Sequence, residues 1–397
     1  MAQRVNLVTG ATGFTGSYVC KMLLERGERV IGTDLRAAIE SDTQRSVLRS
    51  IGLDVDHPDF ELIPANLLDR DSLSVLFEEP VTHVFHVASL YDYSAPLDRL
   101  MRVNVEGTKN LMHHVLQLDS LERVVHWSTC GVFGKPYTAA DGSKVNVPFG
   151  ENSPSPKNSA PTATEPPGTH LVNDYSVSKW VQEQYMWKLH REEDLPLTVV
   201  RPAPIYGPGS AYGHGGIILA IAMGLVPGIP ADAKNYITTS VHVEDIAGFA
   251  LYIADREDAI GEDFNVVDNS IISYHEFLHY IALLTGRSLV DIPLLKLKSL
   301  HPVLVAGAKF WTWLERTFDV PRIKVFEVQS ATYVSSSYWL SNRKSLEWGY
   351  EYRYPDVREG LKDTVAWLRD MGWLTDPAHA LLVSPEGSKP ADRPTGH

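Results

Sequence analysis

Tyr175 and Lys179 stand four residues apart in Tyr175-Ser176-Val177-Ser178-Lys179, and of the chain's 17 tyrosines no other has lysine at the fourth following position. Residues four apart share a helix face, so a phenol and an ammonium on this segment can address one point. An ammonium beside a phenol favours the phenolate and draws its pKa toward neutrality, as would the positive charge of an oxidised nicotinamide. Such a phenol takes a proton from an alcohol or gives one to a ketone. Thr129, in Trp127-Ser128-Thr129-Cys130-Gly131, closes a predicted strand at the end where open parallel sheets hold ligands. Its hydroxyl can hold a substrate oxygen in line with Tyr175, or can bond its own turn. Three glycines in Thr9-Gly10-Ala11-Thr12-Gly13-Phe14-Thr15-Gly16 follow the apolar run Val5 to Val8. One allows a tight turn, one lets backbone approach a pyrophosphate, and one lets the new helix pack on its strand, which is the pattern of a dinucleotide site.

These groups need a scaffold to bring them together. After the glycine loop, Tyr18, Val19, Met22 and Leu23 repeat at helical spacing, Gly27 ends the segment, and Arg29 to Asp34 reads as a strand closing on an acid. Asp34 can accept hydrogen bonds from both hydroxyls of an adenosine ribose and repel a 2′-phosphate, which points to NAD; Arg36, two residues on, offers a cation that keeps NADP open. Residues 60–64, 83–87, 123–128 and 197–201 read as strands, and 97–118 and 174–191 as helices. That alternation predicts an α/β fold, a Rossmann-type doubly wound parallel sheet with a smaller, mostly C-terminal substrate domain. Residues 1–201 and 240–268 are assigned to the NAD(P)-binding domain, the latter as a βα pair and strand returning to the sheet. Residues 202–239 and 269–375 are assigned to the substrate domain, 135–172 to a long surface loop, and the polar, Pro-rich 376–397 to a disordered tail.

A net charge of -13 argues against a nucleic-acid partner, since phosphate binding needs a basic surface. Only two cysteines occur, Cys20 and Cys130, both within predicted regular elements, so a disulfide framework is not expected and a reducing cytoplasm fits. No basic and then apolar leader precedes the first strand, which agrees with that location. His83 and His86 alternate across a strand and His113 and His114 are adjacent on a helix, so neither pair makes a metal ligand set.

With these residues in this order, the chain resembles the extended short-chain dehydrogenase/reductases, the NAD-dependent epimerase/dehydratase superfamily, over about residues 4 to 370. The resemblance rests on the glycine loop, Asp34, Asn66-Leu67, His86-Val87-Ala88, Asn104-Val105-Glu106-Gly107-Thr108, and the Thr129 and Tyr175 segments. Arg201-Pro202, Ile205-Tyr206-Gly207-Pro208-Gly209 and Val241-His242-Val243-Glu244-Asp245 complete it. It implies that Thr129, Tyr175 and Lys179 are catalytic and that Lys179 also holds the nicotinamide ribose. It further implies that Gly10, Thr12, Gly13, Phe14, Thr15, Gly16, Asp34, Arg36, Asn66, Leu67, Val87, Ala88, Asn104, Tyr175 and Lys179 line the cofactor, with Pro202 near the nicotinamide. Asn66 stands where the family often has Asp. Thr129 is followed by Cys130-Gly131 rather than the Asp-Glu pair of sugar-nucleotide dehydratases, which disfavours dehydration.

Arg201-Pro202-Ala203-Pro204-Ile205-Tyr206-Gly207-Pro208-Gly209 is most similar to the 3β-hydroxysteroid and sterol C-3 dehydrogenase branch. The implied activity is NAD-linked interconversion of a secondary alcohol and a ketone on a bulky apolar substrate. Long-chain 3-ketoacyl reduction and nucleotide-sugar epimerisation are the alternatives, and a cofactor sensor is disfavoured by the retained Tyr and Lys. The aromatic stretch 300–318 is too short to span a bilayer; it reads as a lid over an apolar substrate, a peripheral membrane contact, or a core helix. A homodimer through the helices at 97–118 and 174–191 is what the family implies.

Overall fold

The computed structural model describes residues 4–92, 95–134, 148–158, 171–210, 212–226, 228–297 and 339–375, with 299, 302, 306, 307 and 310 as single positions between. The tail 376–397, most of the 300–318 stretch, and residues 135–147 and 159–170 of the long loop lie outside the described residues.

Five buried residues, Val5–Thr9, three of them apolar, form β1, and the glycine loop turns it into α1 (Phe14–Glu25). Then follow β2 (Arg29–Asp34), the short helices α2 (Arg36–Ile39) and α3 (Asp42–Ser50), β3 (Phe60–Pro64) and β4 (His83–His86). Next come α4 (Leu97–Leu100), α5 (Gly107–Val115), β5 (Arg123–Trp127), α6 (Asp174–Glu192) and β6 (Leu197–Pro202). The chain continues through β7 (Ile205–Tyr206), α7 (His214–Ala222), β8 (Gly228–Pro230), β9 (Ile237–Thr238), β10 (Val241–His242), α8 (Val243–Ala254) and β11 (Asp263–Val266). It closes with β12 (Ile272–Ser273), α9 (Tyr274–Leu284), β13 (Val290–Ile292), α10 (Arg343–Glu347) and α11 (Val357–Asp370).

Seven strands form one sheet in the order β11-β6-β5-β4-β1-β2-β3, and every neighbouring pair is parallel. Strands buried on both faces are rich in apolar residues, as with Val5, Leu7 and Val8 of β1, and the buried Asn6 between them donates to Glu28 and the Arg29 carbonyl. Tyr18, Val19 and Leu23 of α1 and Ile246, Phe249 and Leu251 of α8 cover one face. Leu111, Met112 and Val115 of α5 and Met186 and Trp187 of α6 cover the other. A separate cluster joins Ile218 and Leu219 of α7, Phe277 and Ile281 of α9, and Leu361, Val365 and Leu368 of α11. Strand order reverses between β1 and β4, and the crevice beyond their carboxyl ends is where such sheets bind ligands.

Two local readings need correction. The predicted helix 97–118 is interrupted: α4 passes through a π-helical stretch, Met101–Glu106, before α5, which ends at Val115. The π stretch carries Asn104, whose side chain bridges Leu90 and Ser178, so the widened turn re-aims one polar group between two elements. In the late βα pair, β11 joins the main sheet beside β6, but β10 pairs with β7 in its own ribbon. Leu340, Trp348, Tyr350 and Tyr352 pack with Phe249 and Phe264 beside the main sheet, although they follow the substrate-side elements in sequence.

Candidate active site

The glycine loop fits a dinucleotide on its own geometry. Gly10 has φ +69, and a Cβ there would come within 3.1 Å of the Ala88 backbone; a Cβ on Gly16 would overlap the Gly10 carbonyl. A Cβ on Gly13 would meet only the Gly10 carbonyl, at 3.2 Å, which leaves open space in front of the loop. Helix α1 starts after Gly13 with no side-chain cap and no acid in its first turn. Its first N–H groups therefore face that space, where a pyrophosphate can accept them.

Asp34 ends β2 beside the loop and accepts the Thr12 hydroxyl at 2.6 Å and the Thr12 N–H at 3.2 Å through Oδ2, with the Leu35 N–H at 2.8 Å on Oδ1. Burial pushes its carboxyl above the usual carboxylate range, and these donors hold it back. The exposed Arg36 pairs with Glu40 at 3.3 Å, one turn along. Asn66 accepts the Leu68 N–H at 3.0 Å and so shapes its own turn, while Leu67 packs against Gly107. Phe14 and Thr15 open α1, Val87 and Ala88 follow β4, and Pro202 ends β6. Asn104 lies in the π stretch, its amide oxygen accepting the Leu90 N–H at 2.7 Å and its nitrogen donating to Ser178 Oγ at 3.0 Å.

Thr129 caps a 3-10 turn over Cys130–Phe133, its Oγ accepting the Gly131 N–H at 3.1 Å. The bond to its own turn is thus made through an acceptor lone pair, and the hydroxyl proton faces the Cys130 sulfur, a weak acceptor that a substrate oxygen can displace. Tyr175 and Lys179 lie in α6, which begins at Asn173, whose side chain accepts the Ser176 N–H at 2.8 Å. Both side chains are buried. Lys179 Nζ donates to the Trp127 carbonyl at 2.6 Å and to Gln182 Oε1 at 2.5 Å. Burial brings its pKa down to about 7, with Glu183 opposing the shift. The ring of Tyr91 meets that of Tyr175 edge-on at 5.0 Å and that of Tyr212 at 4.9 Å.

A buried polar chain runs from Lys179 to the glycine loop's strand. Gln182 Nε2 donates to Thr108 Oγ at 2.7 Å, Thr108 donates to the Asn104 carbonyl at 2.6 Å, and His86 Nε2 lies 2.8 Å from Thr108 Oγ. His86 Nδ1 lies 2.9 Å from Thr9 Oγ, which accepts the Ala88 N–H at 3.1 Å. Because the single Thr108 proton goes to Asn104, His86 must donate through Nε2 and accept the Thr9 proton at Nδ1. Burial, with Lys179 adding to it, brings the His86 pKa down to about 3, so the ring is neutral.

Sequence reasoning missed the ion network behind this site. Arg201 of β6 spans Glu183 of α6 (Nη2 to Oε1, 2.5 Å) and Asp263 of β11 (Nη1 to Oδ2, 2.5 Å). Glu183 also accepts the Ser128 hydroxyl at 2.5 Å and the Trp187 indole N–H at 2.9 Å. Burial by itself would raise Asp263, but Arg201, Lys157 and Lys344 hold it below the usual range. The one legible signal was Glu183 standing four residues after Lys179 on the same helix face. Tyr91, Tyr212 and Gln182 also carry no local motif.

Residues 6–266 match the NAD dependent epimerase/dehydratase family. The chain is 28% identical over 376 residues to sterol demethylase protein B of Methylococcus capsulatus, covering 93% of this chain and 99% of that protein. It is 29% identical over 378 residues to cinnamoyl-CoA reductase 2 of Medicago truncatula, covering 93% of each. A solved structure of UDP-glucose 4-epimerase with UDP-glucose from Thermotoga maritima superposes with a TM-score of 0.66 at 20% identity, over 92% of this chain and 99% of that one, and so shares the fold.

Proposed function

Because the chain belongs to the NAD dependent epimerase/dehydratase family and is an NAD-dependent enzyme, we propose that it oxidises a secondary alcohol on a bulky apolar molecule, the 3β-hydroxyl of a sterol or steroid. The observation that carries the substrate class is the wall of rings, Tyr91 against both Tyr175 and Tyr212. An apolar wall gains about 25 cal/mol for each Å² of rigid hydrocarbon it covers and offers little to a diphosphate. The likeness to sterol demethylase protein B over almost the whole of both chains supports the same class. A reductase acting in the opposite direction on a ketoacyl compound is the second reading, favoured by the equally long match to cinnamoyl-CoA reductase 2.

In this reading the glycine loop, the α1 N-terminus and Asp34 hold NAD, which supplies the hydride acceptor. Thr129 donates its hydroxyl proton to the substrate oxygen, in exchange for the neighbouring Cys130 sulfur, and fixes it. Tyr175 takes the alcohol proton as the carbinol hydride leaves, so the product is a ketone. Lys179, on the same face of α6, holds the nicotinamide ribose and favours the Tyr175 phenolate while it is charged. A homodimer through α4, α5 and α6, a cytoplasmic location, and a lid or membrane-surface role for 300–318 belong to the same proposal. No helix among the described residues is long and apolar enough to cross a membrane.

The test is a panel of 3β-hydroxysteroids and sterols, 3-ketoacyl compounds and sugar nucleotides, read at the nicotinamide absorbance with NAD or NADH. Turnover of a sterol or steroid is expected, and Tyr175→Phe should lower it by roughly a hundredfold or more while leaving NAD affinity nearly unchanged. Competition by a sugar nucleotide with no turnover of the apolar compounds would overturn the substrate assignment. Near-normal turnover by Tyr175→Phe would remove that residue from the mechanism.

A further inference from the structure

Helix α9 carries His275-Glu276-Phe277-Leu278-His279, the H-E-x-x-H spacing that sets two imidazoles on one helix face. Neither histidine pair considered from the sequence contributes to it. The His275 and His279 rings lie side by side with centroids 4.4 Å apart. Both aim Nε2 at one atom, Asp291 Oδ1 on β13, each at 2.9 Å. The three donor atoms all lie within 4.8 Å of one another. Ligands around tetrahedral zinc sit about 3.3 Å apart at bond lengths of about 2.0–2.1 Å, a spacing bracketed by the 2.9 Å from each Nε2 to Oδ1 and the 4.8 Å limit on the whole set.

We propose that His275, His279 and Asp291 form a zinc-binding site that clamps helix α9 to strand β13, apart from the dinucleotide site. Two imidazoles and a carboxylate suit zinc and neighbouring divalent transition ions; magnesium and calcium prefer all-oxygen shells. The histidines are half-buried and Asp291 is exposed, so the remaining coordination position faces water. Glu276 does not supply a hydrolytic base. Its Oε2 accepts the Ser273 N–H at 3.0 Å and the Ser273 hydroxyl at 2.8 Å, a capping box that turns the carboxylate toward the start of α9. The clamp also reaches further, because β13 pairs with β8 along Val290 to Ile292. One ion would therefore tie the β8–β13 ribbon to the helix that packs against α7 and α11.

The experiment uses the full-length, tag-free chain, stripped with a chelator and titrated with zinc chloride by calorimetry, with melting temperature read in parallel. One zinc per chain and a melting temperature that climbs with zinc but not with magnesium are expected. His279→Gln and Asp291→Asn should each weaken zinc binding by at least about tenfold and remove the thermal shift. NAD affinity should stay unchanged in both variants, and a His113→Gln, His114→Gln double variant should keep the site. Failure to bind one zinc, or binding that survives both His279→Gln and Asp291→Asn, would overturn the proposal.

Discussion

Lys179 brings an ammonium into a buried position where the Trp127 carbonyl and Gln182 accept its hydrogen bonds. Desolvation favours its neutral form and draws the pKa from 10.5 to about 7. Between those values the unfolded chain holds a proton that the folded chain has released. Stability from this group therefore rises with pH across the window: the penalty of the buried charge is full below about pH 7 and is relieved as pH approaches 10.5. Lys179→Met should gain relative to the parent at acidic pH and lose that advantage in alkali. Urea unfolding of both proteins across the window measures it. A stability difference that stays flat would mean that Lys179 keeps an ordinary pKa. The same poise bears on the proposed chemistry, because a lysine near neutrality can be pushed either way by a charge as close as a nicotinamide. The Tyr175 and Lys179 pairing was legible because helical spacing puts two residues on one face without tertiary information. The Lys179 environment was not, since Trp127 lies on a strand 52 residues away.

At the level of elements, α6 carries Tyr175, Lys179 and Glu183 at four-residue intervals, so one rigid rod delivers all three groups to one side of the sheet. Glu183 fixes that rod. Its carboxylate meets Arg201 of β6 and the Ser128 hydroxyl, and Ser128 precedes Thr129, so a single side chain sets the helix against the strand end that carries the third proposed catalytic group. Arg201 then reaches Asp263 of β11, locking the two outermost strands on that side. Removing one member of a fully buried ion network leaves an uncompensated charge, which costs about 3–5 kcal/mol. Glu183→Ala should lose stability on that scale, read as a fall in the denaturation midpoint, and its turnover should fall with it. A change below about 1 kcal/mol, the range of exposed pairs, would show that Arg201 finds other partners. Sequence spacing hid this network because its members lie 18 and 62 residues apart. The strands themselves were readable because burial on both faces leaves short segments rich in Val, Ile, Leu and Phe between turn residues, as in Val124-Val125 and Val199-Val200. The π stretch around Asn104 left no such signature, since its polar side chain is paired only through tertiary structure.

Across the whole molecule, the turn Tyr206-Gly207-Pro208-Gly209 is held from both sides. Tyr18 of α1 donates to the Pro208 carbonyl at 2.9 Å, which joins the turn to the helix over the dinucleotide loop. From the other side α11 lies against Tyr206, whose hydroxyl bonds the Val357 carbonyl at 3.4 Å, and Trp367 of α11 donates to Ser50 at 3.0 Å. The turn was visible in the sequence from its glycines and prolines, but that a helix some 150 residues later closes on it was not, because nothing local in either segment encodes the contact. The contact depends on Gly360. A Cβ there would run into the Tyr206 ring, within 2.8 Å of Cε2, and Tyr206 is fully buried and cannot swing into solvent. Gly360→Val must therefore push α11 off the turn or displace Tyr206, and overpacking of this kind costs about 1–3 kcal/mol even though valine replaces a residue that disfavours helix. Because the turn leads directly to Tyr212 in the proposed substrate wall, KM for the apolar substrate should rise, while NAD affinity, set by β1, α1 and Asp34, should hold. Denaturant unfolding with separate titrations of substrate and NAD reads both effects. If Gly360→Val instead stabilises the chain, as a helix-propensity gain alone would, then α11 does not press on the turn and the two sides of the molecule are not coupled through it.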